Sequence, residues 1–266
     1  MLFHKTYKNP DSSEWVIFIH GAGGSSAVWF KQIQAYAKHF NLLFIDLRGH
    51  GRSADGPTLK RLDYSFDSIA HDIVEVLDHL KINNAHFVGV SLGTIIIRKL
   101  AETNAGYVKS MILVGAITQL NIKSRFLVKL GRIFHFLIPH EWLYQLFAFL
   151  IMPLNDAQEA RNVFVREARR IAKKEFIRWF MLTRKLAARL KKLEETDPGI
   201  PALFVMGEHD YLFLEPIKEQ VRKFKNQTLA VVEKCGHVVN IEKAAVFNQI
   251  SIEFIKKVGL QPKRIQ

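Results

Sequence analysis

A serine between two glycines, in the segment Gly89 to Gly93 (GVSLG), is the first feature of this chain with the residue types and spacing for chemistry. An apolar, strand-like run from Ala85 to Val88 precedes it and a helix-like run from Thr94 to Thr103 follows. G-x-S-x-G at a strand-to-helix crossing is the nucleophile elbow pattern, in which a sharp turn strains the serine backbone and exposes its hydroxyl above the sheet edge. Free N–H groups at the start of a helix favour negative charge, such as that of a tetrahedral oxyanion. Ser91 is therefore the candidate nucleophile.

A serine hydroxyl needs a base to accept its proton, and the base needs a third group to orient it. In an open α/β sheet these groups lie where the carboxyl ends of the strands meet. Asp210 follows the strand-like run from Ala202 to Met206, and His237 follows the next run, from Thr228 to Val232. The sequence therefore predicts a catalytic triad of Ser91, Asp210 and His237, in that chain order.

Two other carboxylates lie close to these positions. Glu208 is two residues earlier than Asp210 in the same turn, so we rank it below Asp210 as the acid. Glu242, just past His237, is placed to pair with a nearby base or to cap the last helix, and we interpret it as structural.

An oxyanion also needs two preorganised N–H donors. One is the backbone N–H of Leu92, directly after the nucleophile. The other is expected from the loop His20 to Gly24 (HGAGG), which follows the buried strand Trp15 to Ile19, and we choose the Ala22 N–H. His20 is interpreted as a buried hydrogen-bonding residue. A phosphate cradle is disfavoured because the loop lacks the Lys-Ser/Thr of a P-loop and the G-x-G-x-x-G spacing.

Strand-like and helix-like segments alternate before and after a long stretch that has no convincing strand. This pattern predicts the α/β class: a mostly parallel central sheet with helices on both faces, plus an inserted helical cap. We assign residues 1–117 and 200–266 to the core and residues 118–199 to the cap. A helix is predicted from Val28 to Lys38, another from Ser68 to Leu80, and a last one from Ile241 to Lys257.

Five motifs in order resemble those of the α/β-hydrolase fold superfamily, in its carboxylesterase, C–C hydrolase and haloperoxidase-like branches. They are His20 to Gly24, Asp46 to Ser53, Gly89 to Gly93, Gly207 to Asp210, and Gly236-His237. The resemblance implies a serine hydrolase without a cofactor, and a structural role for Asp46 to Ser53. Two positions depart from the family pattern: Thr94 stands where many relatives have Gly, and Glu242-Lys243-Ala244 replaces an acidic-x-Pro turn. A serine nucleophile argues against the branches known for Asp there.

The expected function is cleavage of an ester or related acyl bond in a small, largely apolar substrate, through an acyl-enzyme. C–C bond hydrolysis, or cofactor-free lyase or perhydrolase chemistry, on the same triad is the alternative. A non-catalytic ligand-binding protein on the same fold is a third reading. The pocket is expected to include Trp142 and Phe147 of the aromatic-rich cap, together with Val238. Phe134, Phe136 and Leu137 belong to the same apolar set.

The chain carries a net charge of +13, and residues 118–199 contain 16 Lys and Arg against 8 Asp and Glu. No nucleic-acid reading motif accompanies this charge, so we expect no nucleic-acid partner. Contact of the basic cap with an anionic membrane or an anionic substrate is a hypothesis. The apolar window Ile133 to Met152 contains His, Pro and Glu, which favours a helical hairpin over a membrane span.

The single cysteine, Cys235, and the absence of a signal-peptide pattern indicate a cytoplasmic protein. The scattered histidines indicate no metal site. We make no prediction of oligomeric state.

Overall fold

Seven strands form one sheet in the order β1-β3-β2-β4-β5-β6-β7, in a computed structural model that describes residues 1–54, 64–120, 140–154 and 157–260. Only β1 is antiparallel to its neighbour; the other pairs are parallel. The mostly parallel α/β sheet predicted from the sequence is confirmed. The strands are β1 (His4–Tyr7), β2 (Trp15–Ile19), β3 (Asn41–Ile45), β4 (Ala85–Val90), β5 (Val108–Val114), β6 (Ala202–Gly207) and β7 (Gln227–Val232).

Helices connect the parallel strands, as parallel pairing requires. Those in the described ranges are α1 (Ile33–Ala37), α2 (Phe66–His79), α3 (Leu92–Thr103), α4 (His140–Ile151), α5 (Gln158–Ala168), α6 (Lys173–Glu195), α7 (Leu214–Lys223), α8 (Val239–Glu242) and α9 (Ala244–Gly259). Short 3₁₀ turns cover Ser26–Trp29, Gly51–Ser53 and Ala105–Tyr107.

Both faces of the sheet are buried, which is why its central strands are apolar at nearly every position. Alternate side chains go to opposite faces, so Ile17 and Ile19 of β2 belong to the cluster under α2 and α3. Val16 and Phe18 belong to the cluster under α1 and α9. Two packed layers therefore hold the carboxyl ends of the strands in fixed relative positions.

Two predicted helices are interrupted. The Val28 to Lys38 segment is a 3₁₀ turn followed by the short α1, because Gln32 N–H bonds to Trp29 O, three residues back, while its side-chain amide reaches Asn240 O at 2.8 Å. The last helix is broken at Lys243, where the backbone leaves the helical region, into α8 and α9. Periodicity reveals neither break, and the contact of Gln32 joins residues 208 positions apart.

Between β5 and β6, the described residues form three helices, α4 to α6, and we call them the insert. The described part of this region contains no strand. Helix α4 buries Leu143, Tyr144 and Ala148, so at least one face of the predicted apolar hairpin packs inward. Phe134, Phe136 and Leu137 lie outside the described residues. Among the described helices, none combines the length and apolarity needed to cross a bilayer.

The glycines of the elbow give a test of the fold. A Cβ built on Gly93 would lie 2.8 Å from the carbonyl oxygen of His20 and closer still to that of Ile19, and both are backbone atoms. We expect Gly93→Ala to lower the free energy of unfolding by about 1–3 kcal/mol, the usual cost of overpacking. Urea unfolding followed by circular dichroism measures this. Gly106→Ala is the matched control, since a Cβ there meets nothing within 4 Å; equal losses in the two variants would contradict the prediction.

Candidate active site

Ser91 occupies the turn between β4 and α3 with φ 53° and ψ −119°, a left-handed conformation that is rare for a residue with a side chain. Its N–H donates to Val114 O at 2.9 Å, which ties the turn to β5. Thr94 donates to the Ser91 carbonyl twice, from its N–H at 2.9 Å and from its hydroxyl at 2.6 Å. Thr94, which departs from the family pattern, therefore stabilises the strained turn through two hydrogen bonds.

His237 and Asp210 are paired and buried. The Nδ1 of His237 lies 2.7 Å from Asp210 Oδ2, and both side chains are almost fully enclosed. A carboxylate accepts only, so Nδ1 carries the proton that it donates to Asp210. The Nε2 atom is buried and has no hydrogen-bond partner among the described residues. A neutral imidazole in this tautomer presents the lone pair of Nε2 as a proton acceptor.

The two other carboxylates considered from the sequence have different partners. Glu208 is half exposed and accepts from Lys234 N–H at 3.0 Å. Glu242 accepts from Gly236 N–H at 2.8 Å and from Val238 N–H at 3.0 Å. Glu242 therefore holds the backbone on both sides of His237. The sequence indicated a structural role for Glu242 but not these two hydrogen bonds.

The loop after β2 lies directly beside the elbow. A Cβ on Gly21 would lie 3.2 Å from Ser91 Cβ and 3.8 Å from Leu92 N, so only glycine permits this approach without displacement. Gly24 N–H donates to Gly21 O at 3.1 Å and closes the loop. Neither the Ala22 N–H nor the Leu92 N–H, which begins α3, has an acceptor among the described residues. One of these donors belongs to the residue after Ser91, and the other to a residue that lines the same cavity as Ser91.

Two buried histidines hold this loop through hydrogen bonds. His20 accepts from Leu47 N–H through Nε2 at 3.0 Å, and its Nδ1 lies 2.8 Å from Gly21 O. His50 accepts from Gly23 N–H at 3.1 Å, and its Nδ1 lies 3.1 Å from Arg48 O. Burial lowers the pKa of His20, and burial together with the nearby His20 lowers the pKa of His50 to about 3. Both rings are neutral, and each accepts a backbone N–H through Nε2.

Asp46 links the segment after the β2 loop to the loop that follows β3. Its carboxylate accepts from Ser26 N–H at 2.6 Å and from Arg52 N–H at 2.8 Å, and its carbonyl accepts from the Ser53 hydroxyl. The buried Arg48 guanidinium pairs with Asp72 of α2. These contacts agree with the structural role that the family resemblance implies for Asp46 to Ser53.

The insert packs onto these loops through polar groups. Glu167 of α5 is buried and accepts from the Ser25 hydroxyl at 2.8 Å, next to the candidate oxyanion loop. On α6, Trp179 Nε1 donates to Arg48 O at 3.0 Å, and the buried Glu175 accepts from the Tyr64 hydroxyl. The insert therefore makes hydrogen bonds to the segment after β2, through Ser25, and to the loop after β3, through Arg48.

A cavity of about 60 Å³ brings the candidate residues together. Ser91 and His237 line it with Gly21, Ala22 and Gly24, and the rest of its described lining is Val28, Val90, Ile151, Met152, Ala160, Val163, Phe164, Val238 and Ile241.

Of the three pocket residues predicted from the sequence, only Val238 lines this cavity. Trp142 is 68% exposed on the outer side of α4. Phe147 packs against a cluster inside the insert that contains Leu143 and Phe176. Ile151, Val163 and Phe164 line the cavity instead. Helical spacing alone does not show which side of an amphipathic helix faces the nucleophile.

Comparison with known proteins agrees with the fold. A family model for the alpha/beta hydrolase fold matches residues 14–244, so the chain belongs to the α/β-hydrolase family. It is 26% identical to the protein named "Putative carbamate hydrolase RutD" from Stutzerimonas stutzeri, over 92% of each chain.

Solved structures are similar at lower identity. The enol-lactonase from Burkholderia xenovorans LB400 has a TM-score of 0.78 and 21% identity, and the match covers 96% of each chain. A carboxylesterase structure from Nitrososphaera gargenis has a TM-score of 0.79 and 22% identity, covering 97% of this chain and 94% of that one. At these identities the likeness shows the fold. The family as a whole is one of hydrolases.

Glu167 gives a test of the contact between insert and core. Removing its carboxylate in Glu167→Ala leaves the buried Ser25 hydroxyl without this acceptor and deletes a charged hydrogen bond. We expect the free energy of unfolding to fall by about 2 kcal/mol, within the range for hydrogen bonds to charged groups. Glu159→Ala on the same helix, where the side chain is 55% exposed, should change it by less than about 0.5 kcal/mol. Urea titration compares them, and a loss for Glu167→Ala no larger than for Glu159→Ala would refute this role.

The buried histidines predict a loss of stability in acid. In the folded protein the pKa of His50 is lowered to about 3 and that of His86 to about 4, in both cases mainly by burial, from an ordinary 6.5. Between pH 6.5 and about 4 the unfolded chain therefore binds more protons, and stability falls as the pH falls through that window. We expect His50→Gln to flatten this dependence by up to about 1.4 kcal/mol per pH unit. Chemical unfolding at pH 6.5, 5.5 and 4.5 measures the slope, and an unchanged slope would count against buried, neutral His50.

Proposed function

We propose that this protein is a serine hydrolase that cleaves esters whose acyl group is small and carries no charge. The observation that carries the proposal is His237, oriented by Asp210 at 2.7 Å, with its Nε2 unpartnered among the described residues in the cavity that Ser91 lines. A buried base needs such a free nitrogen to take a proton from a serine hydroxyl.

In the proposed reaction His237 Nε2 accepts the Ser91 proton as Ser91 Oγ attacks the ester carbonyl. The carboxylate of Asp210 stabilises the resulting imidazolium. The N–H groups of Leu92 and Ala22 donate to the tetrahedral oxyanion. His237 then returns the proton to the leaving alcohol. A water, deprotonated by the same nitrogen, attacks the acyl-enzyme and releases the acid.

The lining of the cavity supports an uncharged acyl group. Among its described residues His237 is the only titratable side chain, and the others are apolar apart from Ser91. A carboxylate in such a cavity would lose its hydration without gaining a Lys or Arg partner among the described lining residues, which is costly. The RutD relative, at 26% identity, directs attention to carbamates as a second acyl class.

The proposal is tested by covalent labelling and turnover. We expect a fluorophosphonate to label the folded protein once, on Ser91, and Ser91→Ala to take no label. The protein should hydrolyse p-nitrophenyl butanoate, and His237→Ala should reduce kcat by at least about 10³-fold, because no base then remains. His209→Ala is the matched control: this half-exposed histidine lies at the same sheet edge and should leave kcat near the wild-type value.

Absence of both label and ester turnover in folded protein would overturn the proposal. Faster turnover of a p-nitrophenyl carbamate than of the matching ester would replace the ester with a carbamate as the substrate class.

A further inference from the structure

Two separate spaces meet at Val163 of α5. The inner one is the cavity of about 60 Å³ that contains Ser91 and His237. The outer one is an open groove of about 640 Å³ between α5 and the turn that carries Ala27 and Phe30. Val163 lines both and is only 6% exposed, and it is the only residue common to the described linings of the two spaces. Its side chain is therefore part of the wall between them.

The helical geometry of α5 explains this position. Residues three and four apart share one side of a helix, so Glu159, Asn162 and Arg166 line the groove with Val163. Ala160 and Phe164 line the inner cavity with it. Val163 stands on the boundary between these two sides.

The inner cavity suits the part of the substrate that stays bound. In the proposed reaction the alcohol leaves after the first half, whereas the acyl group stays attached to Ser91 until water releases it. A small apolar space fits the retained group. The cavity, at about 60 Å³, is small, so it suits a short acyl chain.

We infer that Val163 is the end wall of the acyl site and limits the enzyme to short, uncharged acyl chains. This inference rests on the proposed serine hydrolase function. With a smaller side chain at position 163, the cavity opens into the groove, and a longer chain extends into the space that Ala27 and Asn162 line. Ala160, whose small side chain faces the same cavity, leaves the room that the short chain occupies.

The experiment measures kcat/KM for p-nitrophenyl esters with acyl chains of two, four, six and eight carbons. The wild type should favour two to four carbons and fall steeply beyond. Val163→Ala should raise kcat/KM for the eight-carbon ester at least tenfold and leave the two-carbon ester within about threefold, since each methylene that finds an apolar place gains about fourfold. Val165→Ala is the matched control. This valine is on the same helix and half-buried, but it lines neither space, so its chain-length profile should match the wild type.

A second variant keeps the test independent of how well Val163→Ala folds. Ala160→Val fills the cavity and should reduce the four-carbon ester at least tenfold more than the two-carbon ester. A parallel series of acetate esters with alcohols of two to eight carbons separates the acyl from the alcohol side. A shift confined to the alcohol series, or identical profiles for Val163→Ala and Val165→Ala, would overturn the inference.

Failure of the proposed function gives a different result, namely no fluorophosphonate label and no turnover of any ester by the wild type.

Discussion

The close approach of α3 to the carboxyl end of β2 is the constraint on which the rest of the site depends. Gly93 packs against the carbonyls of Ile19 and His20 with no room for a side chain. This contact brings the turn at Ser91 against the loop that carries Ala22, and it is possible only because the chain reverses within one strained residue. The strain costs free energy, of order 1–3 kcal/mol for such a conformation, and the hydrogen bonds from Thr94 and to Val114 oppose its relaxation.

Buried polar residues then convert that contact into a rigid site. His20, His50 and Asp46 each accept a backbone N–H from the loops around Ser91. Glu242 accepts one N–H before His237 and one after it. Buried groups of this kind are costly unless fully bonded, so they tolerate few alternative loop conformations. Donors that do not have to reorganise during a reaction are the most effective at stabilising developing charge.

Much of this arrangement follows from the sequence, because the signals are local. Uninterrupted apolar runs mark the buried strands, and the position of Asp210 and His237 just after two of them places both at one sheet edge. The contacts of Glu167 and Val163 are different in kind. Glu167 and Ser25 are 142 positions apart, and Val163 is also far in sequence from Ser91 and His237. Both contacts depend on which side of α5 faces the core. Trp142 shows the same limit: an aromatic residue on an amphipathic helix was expected in the pocket, yet it points outward.

The insert also determines the electrostatic environment of the site. The region from Thr118 to Gly199 is strongly basic, yet its described contribution to the cavity is apolar: Ile151, Met152, Ala160, Val163 and Phe164. Arginines of α5 lie elsewhere, since Arg166 pairs with Glu167 and lines the outer groove. The described residues of the insert therefore add apolar surface to this cavity and no charged side chain. In such surroundings the attraction between Asp210 and a protonated His237, and that between an oxyanion and two N–H donors, are screened less than in solvent. The same side chains that set the size of the cavity therefore also strengthen the interactions on which the proposed chemistry depends.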